Sequence, residues 1–335
     1  MAKAPSTDAA LRAIRAIRDA PESYDLKRDL ASFLRHKSNH VVSAAASTAE
    51  RLESVALAQD LVDAFLELMK DPAKRDPGCQ ALIAIAKALV TLDEPAAKVY
   101  FAGIHHVQME GSFGPPIDAA APLRGLCAQG LARMGHADAL LECVNLLADK
   151  EVPARVGAIR GIADSGDIAG ALLLRLKALV GDKEDEVIGE CFAGLLRLAP
   201  APSVEFVAGF LKSASEEIRE RAALALGESH LAVGTYDVLT SEQRAFQVLR
   251  EAWVETAQAA RRRTLLLSIA MLRLDEAVEF LLTRLAEDRD AAAADALAAL
   301  ALYGRDESVR KRIEEIVGKR EGQALKTVFD REFRS

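Results

Sequence analysis

An all-α solenoid of about eight antiparallel helix hairpins is the fold class predicted for this chain, and three observations predict it. From Asp118 to about residue 320 one pattern recurs roughly every 31 to 33 residues, each copy an apolar helix, a short turn and a second apolar helix. Half of the 335 residues are hydrophobic and only 5% aromatic, a composition led by Ala and Leu. Apolar positions fall at spacings of three and four rather than two, the period of a helix face. Units of this kind bury their apolar sides against their neighbours, so the array lengthens without a larger central core.

The elements follow in order. Asp8 to Ile17 reads as an amphipathic helix ended by Pro21, and residues 1–36 form an N-terminal helical cap. A further helix is predicted over Leu26 to Leu34, and residues 37–117 read as degenerate repeats, with helices over Val41 to Leu52 and Leu57 to Met69 and with Asp71-Pro72 and Asp76-Pro77 as breakers. Gln80 to Leu89 and Pro95 to Ile104 make a clearer hairpin. Regular repeats occupy 118–320, opening at Pro122, Ala154, Val187, Ile218, Ala260 and Ala291, and the charged 321–335 is a cap or tail. Glu307 to Arg320, alternating Arg, Lys and Glu, is expected to be a solvated final helix.

An acidic residue stands six positions before an Arg in Asp118/Arg124, Asp149/Arg155 and Glu255/Arg261. That spacing crosses the turn between units and predicts a ladder of charge-assisted bonds along the stack. The ladder is incomplete, because Asp182 faces Ile188, Ser213 faces Arg219, and nothing matches near Ala292. These residues recur with the period, so they read as repeat glue and not as catalytic groups. With Arg221-Ala222-Ala223-Leu224-Ala225-Leu226-Gly227 following in the same register, the chain resembles the HEAT-repeat family. It looks most like the HEAT-like repeats of phycobilin lyases and bacterial scaffolds. The resemblance implies a binding scaffold, or alternatively an accessory, lyase-like protein acting on a bound substrate or chromophore.

Two insertions break the period. The first, His105 to Ile117, joins two units; the second, Glu228 to Ser241 with His230, Tyr236 and Asp237, lengthens the spacing from Ile218 to Ala260 to 42 residues. Met109, Phe113 and Ile117 among glycines and prolines predict a first loop pinned to the solenoid by apolar anchors. His105, His106, Gln108 and Glu110 are its chemistry-bearing residues. Adjacent helical histidines point about 100° apart and do not easily share one ion, so these residues read first as a structural loop with an end-of-helix His, next as a contact for a protein partner, and least as a metal or acid-base site.

Elsewhere the candidates are sparse. Trp253 falls in a core register shared with Leu147, Val180, Leu211 and Leu285, and Arg261-Arg262-Arg263 is the one compact basic run. The column Asn145, Lys177, Ala208, Arg250 and Thr283 along the second helices is chemically mixed, which disfavours a nucleic-acid groove of repeated cations and aromatics. A net charge of −7 points the same way and argues against a helical-repeat DNA glycosylase. Gly157, Gly161, Gly189 and Gly194 lie in helices, where they allow close helix approach. No phosphate loop, nucleophile elbow, zinc-protease helix or paired CxxC is present, so no cofactor or metal is expected. Cys79, Cys127, Cys143 and Cys191 are widely spaced and read as small core residues of a reducing compartment. With no signal-peptide core and no uncharged stretch long enough for a bilayer, the cytoplasm is the expected address. The reading is a non-catalytic scaffold binding a protein, with partner contacts at His105, His106, Gln108, Met109, Glu110, Phe113, Arg250 and Arg262.

Overall fold

The small and aliphatic runs fold as their spacing requires. The computed structural model describes residues 5–229, 238–320 and 323–333, and the fold is an all-α solenoid. The chain divides into two units, Met1–Leu173 and Leu174–Ser335, the division falling within one helix.

The first unit contains α1 (Thr7–Asp19), α2 (Leu26–Leu34), α3 (Asn39–Arg51), α4 (Ala58–Leu68), the single turn α5 (Pro72–Arg75), α6 (Gln80–Thr91), α7 (Ala97–Ile104), strands β1 (Met109–Glu110) and β2 (Ile117–Asp118), α8 (Ala121–Arg133), α9 (Ala139–Leu147) and α10 (Val152–Asp164). Helix α11 (Ala169–Val180) carries the division. The second unit continues with α12 (Asp185–Leu198), α13 (Pro200–Gly209), α14 (Glu216–Gly227), α15 (Val238–Glu255), α16 (Ala259–Met271), α17 (Asp275–Glu287), α18 (Asp290–Leu300), α19 (Glu307–Lys319) and α20 (Gln323–Phe333).

In each unit the first helices of successive hairpins stack on one another: α3 on α6, α6 on α8 and α8 on α10 in the first, and α12 on α14, α14 on α16, α16 on α18 and α18 on α20 in the second. Second helices form a parallel row, seen in α13 on α15 and α17 on α19. Gly125 and Gly157 let α8 and α10 meet backbone to backbone: a Cβ on Gly157 would lie 2.2 Å from the Cα of Gly125. The Tyr100 ring fills the place of a side chain at Gly130, where a Cβ would sit 2.4 Å from it. In the second unit Trp253 is buried, as its register predicts, and meets Phe280 edge to face at 5.4 Å.

The structure changes several sequence expectations. Val180, placed by register with the core, is 76% exposed. Helix α19 is not the last: it buries Val309, Ile313 and Val317 at helical spacing, and α20 follows it, burying Leu325, Phe329 and Phe333. The alternating charges of α19 occupy only the face away from those positions. Of the second insertion, His230, Tyr236 and Asp237 lie outside the described residues, and α15 begins within its predicted span.

The acid-to-arginine ladder is also built differently. Arg155 donates from Nη1 to the main-chain oxygens of Asp149 and Lys150, each at 2.9 Å, whereas the Asp149 carboxylate accepts from Arg124 of the preceding hairpin. Arg219 donates to the carbonyls of Ser213 and Ala214, contacts that do not require an acid at position 213. Arg262, not Arg261, reaches the carbonyl six residues back, on Thr256 at 2.7 Å. Arg261 instead donates to the Leu211 carbonyl, and Glu255 pairs with Lys212. The acceptor that recurs is the carbonyl at the end of the preceding helix pair, which a guanidinium satisfies whatever side chain stands there. The turn before α18, whose first turn (Asp290–Ala293) carries no matching arginine, is filled by Arg320, which donates to the carbonyls of Leu285, Ala286 and Asp288.

Candidate functional site

The first insertion is a β-hairpin strapped to the turn before α6. Its register pairs Met109 with Asp118 and Glu110 with Ile117. Side chains on a strand alternate, so Gln108 and Glu110 point together toward the protein while Val107 and Met109 point away.

The inward side chains enter a polar cluster built from below. Asp76, fully buried, accepts the main-chain N–H groups of Ala81 and Leu82 at 3.0 and 2.8 Å, capping α6, and also the Asn39 amide at 2.9 Å. Gly78 (φ +77°) and Cys79 (φ +53°) then turn through left-handed conformations, which aims the Gly78 N–H at Glu110 Oε1, 2.6 Å away. Gln108, 3% exposed, donates to the Asp76 carbonyl at 2.9 Å and to Glu110 Oε1 at 2.6 Å. With both amide protons so used, its Oε1 accepts from His106 Nε2 at 3.1 Å.

Asp118 closes the other strand. Its Oδ1 accepts the N–H groups of Gln108 and Ala120, and its Oδ2 receives Arg124 Nη1 at 2.6 Å. Burial pushes the Asp118 carboxyl up, but the donors from Gln108, Arg124 and Ala120 outweigh it and hold the group below its ordinary value of 3.8. Arg124 also donates to the His106 carbonyl and, through Nε and Nη2, to both oxygens of Asp149. Burial raises the Cys79 thiol to about 12, so it is held as an inert thiol.

Outside the cluster the hairpin is apolar. Val107, Met109 and Ile117 are each more than half exposed and Phe113 at the tip is fully so. This reverses the expected anchoring: Met109, Phe113 and Ile117 are exposed and do not pin the loop, because the donors and acceptors of the turn before α6 draw Gln108 and Glu110 inward instead. Polar bonds hold the hairpin and its apolar residues face water.

The remaining sequence candidates fall in two places. His105 caps the end of α7, exposed, with Nε2 3.5 Å from Glu142 Oε2, whereas His106 lies past the helix end and turns to Gln108, so the two histidines diverge, though not as neighbours on a helix. Arg250 and Arg262 belong to the α15–α16 hairpin: Arg250 lies over the Phe246 ring at 5.7 Å and Arg262 over Trp253 at 4.7 Å. Arg262 is half-buried and serves there as the turn-closing arginine. Asn39 and Gly78 were missed from sequence, and Asp76 was read only as a breaker. The Asp-Pro-Gly run was the available signal for a capped, left-handed turn. Among the described residues no three His, Cys, Asp or Glu side chains converge as metal ligands. A cleft of about 650 Å³ lies elsewhere in this unit, beside Leu34, His36, Val42, Leu68 and Arg75.

No family model matches this chain, and no curated protein matches it in sequence. Solved structures resemble it in helical arrangement. The complex of CpcE and CpcF of phycocyanin lyase from Nostoc sp. PCC7120 is 16% identical, covering 78% of this chain and 94% of that one, with a TM-score of 0.38. Two engineered proteins, 16% and 15% identical, cover 98% and 91% of this chain and 95% and 98% of their own, with TM-scores of 0.42 and 0.24. Among the described residues no helix is long and apolar enough to cross a membrane.

Proposed function

We propose that this chain is a non-catalytic HEAT-like scaffold that binds a protein partner through the 105–117 hairpin. The observation that carries the reading is the division of labour within the hairpin. Gln108, Glu110 and Asp118 fix its backbone, while Val107, Met109, Phe113 and Ile117 stand in water. Holding four apolar side chains outward on a rigid support presents an anchor whose ordering cost is already met, the arrangement that gives an interface its few dominant contacts.

An accessory enzyme acting on a bound substrate would need polar groups free to move protons. Here Glu110 Oε1 already accepts two N–H groups and His106 Nε2 is committed to Gln108, which favours the scaffold reading.

Phe113→Ser tests it. The side chain touches solvent, so stability changes by no more than about 0.5 kcal/mol, whereas capture of the partner from the native host, read by quantitative mass spectrometry against the wild type, falls at least tenfold. Undiminished capture by Phe113→Ser combined with Met109→Ser refutes the hairpin as the contact.

A further inference from the structure

The cleft of about 650 Å³ lies wholly within the first unit and is within the range of about 300–1,000 Å³ that ligand clefts occupy. Buried Leu34, Val42, Ala64 and Leu68 make its apolar floor. Arg35, His36 and Lys37, from the turn between α2 and α3, line one side, and Asp63, Glu67 and Arg75, from α4 and α5, line the other. Cations outnumber acids at this rim. Asp60 is shared by Lys27 at 3.2 Å and Arg35 at 3.1 Å, and Glu67 by Lys70 at 2.5 Å and Arg75 at 2.6 Å. Asp63 accepts from Gln59 at 2.8 Å, and among the described residues no carboxylate pairs with Lys37. Five cations thus meet three carboxylates, in a chain whose net charge is −7. Arg35 and Arg75 bond from Nη1, which leaves the edge formed by Nε and Nη2 on each guanidinium, the edge that grips a carboxylate at two points, open among the described residues. His36 supplies wall and no charge-assisted contact, since Nδ1 accepts the Ser38 N–H and Nε2 meets the Pro5 carbonyl, each at 3.1 Å.

We infer that this cleft binds an acidic peptide segment with apolar residues between its carboxylates, the rim taking the acids and the floor the apolar side chains. Cations on both sides call for more than one carboxylate, which a single small acid does not supply. A surplus of positive charge at the rim also sets it apart from the rest of an acidic chain and selects against cationic or neutral segments. The cleft borders the hairpin: Arg75 immediately precedes Asp76, whose carboxylate holds the Asn39 amide and whose carbonyl holds Gln108. A peptide as occupant, in place of a free small acid, rests on the reading of that hairpin as a contact for a protein.

Fluorescence anisotropy of a dye-tagged peptide alternating aspartate and leucine, titrated with the full chain, reads the binding. Saturable binding is expected, weakening by about fivefold as sodium chloride rises from about 50 to about 300 mM. Lys37→Glu, at an exposed position, should weaken it by at least about fivefold with an unchanged melting temperature. Ala64→Leu, which adds bulk to the floor at constant charge, should weaken it as well. Phe113→Ser should leave it unchanged, so a failed hairpin contact and a failed cleft give different results. The inference is overturned by a wild type that does not bind the peptide, or by binding indifferent to Lys37→Glu. Equal binding of the same peptide with asparagine for aspartate, or of a short oligodeoxynucleotide of the same charge, overturns it too, as does loss of binding in Phe113→Ser, which would put the peptide on the hairpin.

Discussion

Arg124→Ala removes four hydrogen bonds at once, to the His106 carbonyl, to Asp118 and, twice, to Asp149. The guanidinium is nearly buried, and the carboxylates it joins are 5% and 15% exposed. Deleting one member of a buried ion pair costs about 3–5 kcal/mol, mostly because a charge is left behind in a poor solvent. Here two charges are left, but each keeps main-chain donors: Gln108 and Ala120 for Asp118, and Glu151 for Asp149. The loss is therefore placed at the lower end, about 3 kcal/mol. Arg219→Ala is the control. Its acceptors are the Ser213 and Ala214 carbonyls at a partly open turn, and losing neutral acceptors there costs about 1 kcal/mol. Urea unfolding followed by circular dichroism compares the two variants, and hydrogen exchange adds a local readout. Amides of 105–118 should exchange faster in Arg124→Ala, because the arginine holds both ends of the hairpin. Equal losses in the two variants, or a loss below about 1 kcal/mol for Arg124→Ala, would refute the assignment of Arg124 as a doubly paired buried charge.

Two further outcomes follow from the same geometry. Gly157→Ala puts a Cβ 2.2 Å from the Gly125 Cα, which forces α8 and α10 apart; a loss of at least about 3 kcal/mol is expected, against under about 1 kcal/mol for alanine at exposed Gly209, where nothing lies within 4 Å. Calorimetric melting temperatures of the two variants decide it. Asp118 has a folded pKa below its unfolded one, so its contribution is present in full above the unfolded value of about 3.9 and is lost as pH falls through the folded value. Asp118→Asn should therefore narrow its stability deficit against the wild type as pH drops from 6 to about 3, and a deficit that stays constant over that range contradicts the shift.

The parts of the site that were legible in sequence are those set by local geometry. Asp118 and Arg124 are six residues apart across one turn, so their pairing follows from the repeat spacing. The partners of the hairpin were not legible, because Asn39 and Asp76 are 37 residues apart and Gly78 and Glu110 are 32 apart. The stacking of α3 on α6 makes the first pair neighbours, and the hairpin folding back onto the turn before α6 makes the second. The apolar residues of the hairpin misled for a related reason. Their composition suggested anchors, but which face of a two-residue strand turns inward depends on where the acceptors wait, and those belong to the α6 turn. Arg261 and Arg262 show the same limit: either fits a loose six-residue count, and the backbone at Thr256 selects the second.

What the sequence by itself determined is the class of the fold and the period of its units, because a helix face is written in spacings of three and four and each hairpin needs a neighbour to cover it. It also determined where the period fails, which is where the candidate site lies. Only the tertiary structure decided which side of the hairpin faces the protein and which carbonyls the arginines close. Those outcomes depend on which distant groups packing delivers to a given place, and the free energy of burying a side chain or satisfying a donor exists only once that delivery has occurred.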